Sequence, residues 1–403
     1  MGNNLLDPRA AAEAVLARVP AAQPEPVPLT EALGRVLARD VTSADDVPGF
    51  DNSSMDGFAL RSPDVTGASP DNPVPLRLIG ESRAGHPYAA SVGPGEAIAI
   101  STGAMVPDGA DTVLRIEDAV QEDSRLYVAS ALPFGAEIRR AGEDIRAGDT
   151  VLATGTRIGP AELGVAASTG VAELTCARAP RIAVVVTGDE LIPPPAPLGP
   201  GQIRNTNGYA VPAQAVAAGA TVAQVTTVGD DYAATVTELE RALEADVVVV
   251  TGGVSVGPHD HVRPALAELG VEQVFWGVAL RPGKPTFFGT RGQTLVFGLP
   301  GNPVSAMVTF HLFVRPALAR MLGTTPRERH AVASFDADYP KRPGRAHVVR
   351  CTLEARDDGW HARPTKEQGS HVLTSMLGTE AFAYLEVERG DVSAGERVEI
   401  EIL

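Results

Sequence analysis

Five carboxylates stand directly after three stretches that read as strands: Asp189 and Glu190 in "TGDE" (187–190), Asp230 and Asp231 in "VGDD" (228–231), and Asp260 in "TGGVSVGPHD" (251–260). The third loop carries little side chain before its acid, with Thr251, Gly252, Gly253, Ser255 and Gly257 leading to Asp260. Glycines let backbone N–H groups approach an anion closely where a helix begins. Several acids around one anion make chemical sense when a divalent cation sits between them. One glycine turn or one capping aspartate is an ordinary structural device, whereas three such loops on one edge point to a site. His259 and His261 flank Asp260, but alternate positions on an irregular loop suit a metal pair badly, and both read as surface or supporting residues.

A second group is cationic. In "RPGKPTFFG" (281–289), Pro282 and Pro285 stiffen the segment and Gly283 permits a turn that brings Arg281 and Lys284 together. Rigidly held cations in an acidic chain suit an oxyanion; a solvated hairpin with two surface charges is the other reading of this segment alone. "GLPGNPVSA" (298–306) follows, where Asn302 or Ser305 could cap the next helix or donate to the same anion. Three further stretches, "DNSSMDGFAL" (51–60), "STGAMVPDGADTVLRIED" (101–118) and "RRAGEDIRAGD" (139–149), are too polar and glycine-rich for plain connectors.

The elements that must position these residues follow from periodicity. Asp7 and Pro8 signal a first helix, and "PVPLTEALGRVLARDV" (26–41) reads as a second, short helical unit. From 41 to 140 short β-type runs alternate with Gly and Pro turns, giving an all-β module. "GVAASTGVAELTC" returns to helix and strand, so the module is expected to interrupt a domain formed by 1–40 and 141–179. Residues 180–325 alternate strand and helix, as in a mostly parallel sheet with helices on both faces, and end in a long helix. Residues 326–403 are β again. In an open parallel sheet, ligands bind beyond the carboxyl ends of the strands, where the three acidic loops lie.

At 403 residues the chain is long enough for several domains, and 44% hydrophobic residues support folded cores. A formal net charge of −16 argues against nucleic acid or an anionic membrane as partner. An anionic substrate would need local cations or a metal to overcome that field. Cys176 and Cys351 are too few for a cluster and are expected as two buried thiols in a reducing cytoplasm. The first residues, "MGNNLLDPRA", lack a secretory layout, and no apolar run approaches membrane-spanning length, so a cytoplasmic protein is expected.

The polar stretches, taken in order with "TGDEL", "TGGVSVGPHD", "RPGKPTFFG", "GLPGNPVSA" and "EQGSHVLTSM" (367–376), resemble the MoeA family of molybdopterin molybdenumtransferases, related to the E domain of gephyrin. The resemblance implies a molybdopterin-binding (MogA-like) α/β domain, an inserted β module, a helical/β N-terminal domain and a C-terminal β-barrel. It implies a reaction in which adenylylated molybdopterin and molybdate give molybdenum cofactor and AMP, assisted by Mg²⁺. It also implies a homodimer with a composite active site and a molybdopterin adenylyltransferase upstream. Carried over residue by residue, it makes Asp56, Thr102, Asp144, Glu190, Asp230 and Asp260 functional positions, with Glu190 and Asp260 at the metal. Asn207 in "IRNTN" and the loop of Thr251, Gly252, Gly253, Ser255 and Gly257 would contact the pterin nucleotide. Arg281, Lys284, Ser305, Arg350 and Ser370 would together hold molybdate. Arg281 stands where many relatives have lysine, and Gly277 where some have a basic residue. Two other readings are a molybdopterin adenylyltransferase, disfavoured by the extra β modules, and a non-catalytic gephyrin-like scaffold, disfavoured by the full set of acids.

Overall fold

The computed structural model describes residues 5–255, 260–326 and 329–403. Its centre is a six-stranded sheet. Strands Thr221–Val228, Arg181–Thr187, Val247–Thr251 and Thr294–Leu299 lie side by side in parallel, and Phe287–Arg291 and Glu272–Trp276 continue the sheet antiparallel. Successive side chains of a strand point to opposite faces. Ile182, Val184 and Val186 therefore join one apolar cluster with helix Asn207–Ala217 and the closing helix, while Ala183 and Val185 join another with helices Tyr232–Ala242 and Val262–Glu268. Four buried valines, 247–250, alternate between the two faces in the same way. Arg181–Thr187 comes first of the sheet's strands in the chain, and the next two, Thr221–Val228 and Val247–Thr251, lie on opposite sides of it, so the strand order reverses between Arg181–Thr187 and Val247–Thr251. That reversal is where an open α/β sheet leaves a crevice.

The first helix, Pro8–Leu16, is capped by Asp7, whose carboxylate accepts from the Arg9 and Ala10 amides. The second helical unit expected over 26–41 is not there. Pro24–Pro28 is a strand paired antiparallel with Glu173–Ala177, followed by a single 3-10 turn, Leu29–Glu31. Three prolines within the strand's own residues hold extended backbone, and pairing with a distant strand outweighs the helix propensity of "TEALGRVLARD". The chain returns to this region after the β module, since Val41–Thr42 pairs with Thr150–Leu152. The module itself is a six-stranded sheet whose only parallel pair joins Val74–Ser82 to Glu96–Ile100. Part of "DNSSMDGFAL" belongs to it, Gly57–Leu60 being an inner strand.

At the C-terminal end, strand Ala381–Leu385 pairs with both Arg397–Ile402 and Ala346–Arg356, which closes a barrel with Gly359–Pro364 and Arg329–Phe335. Cys351 is buried in it, and burial pushes its thiol up to about 12; Cys176 is likewise buried with its thiol raised. Two seams join barrel and α/β unit. Leu280–Arg281 adds a parallel strand to Ala346 and His347. Glu401 of the barrel accepts from His311 Nε2 (2.9 Å), Arg315 Nη2 (2.6 Å) and Tyr384 Oη (2.8 Å). Burial alone would raise the Glu401 carboxyl, but the His311 contact, then Arg315 and Tyr384, hold it at about 2. The long closing helix is not uniform. Pro303–Thr309 and Arg315–Met321 are α-helical, and Phe310–Val314 is a π turn. Pro316 cannot donate to the carbonyl four residues back, and the wider turn upstream accommodates it.

Candidate functional site

Thr187 and Thr251 end the two strands that flank the strand-order reversal, and a cleft of about 630 Å³ opens beyond them. Gly252 and Gly253 form its floor with φ of +89° and +61°. A Cβ on Gly252 would stand 2.7 Å from the Thr187 carbonyl oxygen, and one on Gly253 would stand 2.7 Å from Val262 Cγ2. Both conformation and space therefore require glycine there. Glu190, Asp230 and Asp260 line the same cleft, as does Asn207 at the start of its helix. Asn207 Nδ2 donates to the Gly301 carbonyl at 2.8 Å, but its Oδ1 is buried without a partner. The buried hydroxyls of Thr187 and Thr251 also have none. Three orphaned polar atoms around one crevice call for a ligand, because buried polar groups are otherwise nearly always paired.

The remaining acids of this edge have structural work. Asp189 Oδ1 accepts from the Asp230 amide at 3.0 Å, and Asp231 caps helix Tyr232–Ala242 through the Ala234 amide at 2.7 Å. Ser255 is exposed and outside the cleft wall. Gly257 and His259 lie outside the described residues. His261 precedes helix Val262–Glu268 with its ring edge-on to Tyr232, 5.9 Å between centroids.

An adjoining pocket of about 400 Å³ is cationic. Arg281, Lys284 and Ser305 come from the α/β unit, and Ser370 and Arg345 from the barrel side. Asn302 occupies the N-cap position of Pro303–Thr309 without capping it; its Nδ2 reaches Ser370 Oγ at 3.2 Å. Arg350 does not line this pocket. It is fully buried behind the 367–369 segment, donating from Nη2 to the carbonyls of Glu367 and Gly369, while its Nε and Nη1 are buried and unpartnered. A buried guanidinium with two unpartnered nitrogens is costly until an anion completes it. The local field is positive in this otherwise acidic chain. His347 is held down at about 4 by burial first, then by Arg281, Lys341 and Arg345. Arg345, Thr187 and His371 were not singled out by sequence reasoning. Thr187 ends a run of valines, Arg345 and Arg350 bracket "AHVV", and His371 follows Ser370 directly, but only the fold brings them to a cavity wall.

The other expected positions lie on the β-module side. Asp56 Oδ1 accepts from the Thr102 amide (2.7 Å) and hydroxyl (3.1 Å), so these two meet. Asp144 is exposed, its amide bound to the Val47 carbonyl at 3.1 Å. None of the three lines either cavity. A larger groove of about 770 Å³, between residues 19–22, 154–156 and 323–325, is walled mainly by small residues, with Arg320 as its only charge among the described residues.

Fold and cavities define a multidomain protein built on an open α/β unit with a cleft at its strand-order reversal and a cationic pocket at its seam with a β-barrel. Comparison with known proteins agrees. The model of the MoeA N-terminal region (domain I and II) matches residues 6–170, that of a probable molybdopterin binding domain matches 183–320, and that of the MoeA C-terminal region (domain IV) matches 332–403. The molybdopterin molybdenumtransferase of Haemophilus influenzae is 37% identical over 94% of this chain and 94% of its own length. That of Bacillus subtilis is 35% identical over 94% of this chain and 89% of its own. A crystal structure of the molybdopterin biosynthesis MoeA protein from Pyrococcus horikoshii superposes with a TM-score of 0.85 at 30% identity, covering 99% of this chain and 100% of that one. The chain belongs to the MoeA family.

Proposed function

We propose that this chain inserts molybdate into adenylylated molybdopterin, releasing AMP and giving molybdenum cofactor. The observation that carries the reading is the pairing of an orphan-lined, glycine-floored cleft with a cationic pocket beside it. The cleft suits a phosphate-bearing pterin nucleotide, contacted by Asn207, Thr251, Gly252 and Gly253. The pocket suits a tetrahedral oxyanion between Arg281, Lys284, Ser305 and Ser370, with the buried guanidinium of Arg350 adding positive charge behind the 367–369 segment.

The donor set of the cleft fits Mg²⁺. Its acids offer only oxygen, and Arg204, the one arginine or lysine lining it among the described residues, is turned to the carbonyls of Pro193 and Ala196. Among the described residues no three His, Cys, Asp or Glu side chains converge as a metal cluster. Mg²⁺ commonly takes one or two carboxylates and fills its shell with substrate phosphates and water. Glu190 and Asp260 would hold it, and when bound it would neutralise phosphate charge. Asp230 would orient the nucleotide with its neighbours.

Asp56, Thr102 and Asp144 belong in this reading through a homodimer, in which the β module of one subunit closes over the cleft of the other. None of them lines either cavity within one chain, which is the reason for assigning them to a shared site. The domain limits 1–40 with 141–179, 41–140, 180–325 and 326–403 suit this division, and the strand pairs across the β module's two ends support them. A molybdopterin adenylyltransferase would supply the substrate. A cytoplasmic setting suits the two buried free thiols; no helix among the described residues is long and apolar enough to cross a membrane. Incubation of purified protein with adenylylated molybdopterin, molybdate and Mg²⁺ tests the reading. AMP and a molybdenum-bearing pterin are expected together, and neither without the adenylylated substrate.

A further inference from the structure

We infer that His371 relays a proton between the two cavities during molybdenum insertion, from a dithiolene sulfur of the pterin to the oxygen that leaves molybdate; this rests on the function proposed above. Among the described residues only Asn302 and His371 line both the cleft and the anion pocket. The Asn302 amide is engaged with Ser370 Oγ and has no exchangeable charge to pass on. The His371 ring has no hydrogen-bond partner among the described residues, and it is seated over Gly369. A Cβ at position 369 would stand 3.0 Å from its Cε1 and 3.3 Å from its Nδ1. The absent side chain thus leaves the imidazole its place on the shared wall.

The chemistry needs a group there. When a dithiol takes up molybdate, two Mo–S bonds form and one Mo–O bond breaks, and the two thiol protons leave on that oxygen as water. Molybdenum stays Mo(VI), so no oxidant or reductant enters. The Mo–S bonds can form only where the two cavities meet, so the protons pass from sulfur to the leaving oxygen at that junction, which His371 lines from both sides. Arg281 and Arg345 hold the anion but do not give up protons, and Lys284 lines the anion pocket alone. Imidazole can take a proton on one nitrogen and give one from the other near neutral pH.

His371→Ala tests this, with His371→Asn as a second variant of similar shape. Turnover of adenylylated molybdopterin and molybdate to molybdenum cofactor should fall about 10²-fold in both, the lower range for losing an acid–base group. KM for either substrate should change by no more than about twofold, as a relay adds rate rather than ground-state binding. Free imidazole should restore turnover of His371→Ala in proportion to its concentration and do nothing for His371→Asn. Wild-type turnover in His371→Ala overturns the relay, as does a loss that lies in KM or ignores imidazole. A wild-type protein that transfers no molybdenum overturns the proposed function and the relay with it, whereas an active wild type with an imidazole-insensitive variant overturns the relay alone.

Discussion

The acid-lined cleft and the cationic pocket share a wall and are opposite in charge. The cleft is lined by Glu190, Asp230 and Asp260, and comes almost wholly from one folding unit, at the point where its sheet reverses strand order. The pocket gathers Arg281, Lys284 and Arg345 from two units, and exists only where the barrel meets the sheet. An acidic cleft accepts a phosphate ester only with a cation; a cationic pocket accepts an oxyanion directly. The pair can therefore sort two anions that a single basic groove would confuse. Keeping the signs apart costs the chain a buried, half-satisfied Arg350 and a His347 that must stay neutral.

Removing charge from either side should break different steps. Asp260→Asn is expected to fold normally and lose Mg²⁺-dependent AMP release by about 10²-fold or more, the scale for a group that stabilises developing charge. Adenylylated pterin should then copurify with the variant, and mass spectrometry of the denatured protein would detect it; wild-type AMP release would move the metal elsewhere. Lys284→Ala should instead raise the molybdate concentration for half-maximal rate about ten- to hundredfold, the worth of one charge-assisted contact. Binding of the adenylylated pterin should barely change, and the reverse pattern would assign Lys284 to the phosphate.

The third test asks whether the cleft is completed by another chain. Asp56→Ala and Asp260→Asn homodimers should each be nearly inactive. Refolded together, about half the dimers would be mixed, each with one site free of both lesions, restoring roughly a quarter of wild-type activity. Heterodimers that form without recovery would show that each chain owns its whole site.

The last expected effect falls on stability rather than turnover, and concerns the seam. Glu401 falls from an ordinary 4.5 to about 2 in the folded state, so it contributes stability above pH 4.5 that is lost as pH falls toward 2, roughly 3 kcal/mol across that window. Because Arg345 and Ser370 come from the barrel side, acid should loosen the anion pocket before the cleft. Thermal unfolding of wild type and Glu401→Gln, followed from pH 6 to about pH 2, would show it: the variant should start lower and lack that part of the wild type's pH dependence. Parallel curves would place the titration in another group.

Much of the cleft could be read in the sequence because its parts are local. A strand of valines, a glycine pair and an acid within fifteen residues state their geometry almost unaided, and periodicity located the sheet around them. What could not be read is whatever depends on tertiary closure. Asp189 and Asp231 look like Glu190 and Asp230 in the chain, yet two of them are spent on an amide brace and a helix cap. Arg345 and Arg350 lie five residues apart on one stretch, and barrel closure alone decides which faces the pocket and which is buried behind it. The helix expected over 26–41 failed for the same reason, since its strand partner lies nearly 150 residues away.

The π turn at Phe310–Val314 bears on how substitutions in the closing helix are mapped. A helical wheel drawn through the whole stretch assumes about 100° per residue, whereas a π turn holds an extra residue in its loop and resets the phase. A wheel anchored on Ser305 would therefore place Arg315 about one residue's rotation off its true bearing. Scanning data from the two halves should be plotted on separate wheels, one centred on the anion pocket and one on the Glu401 seam.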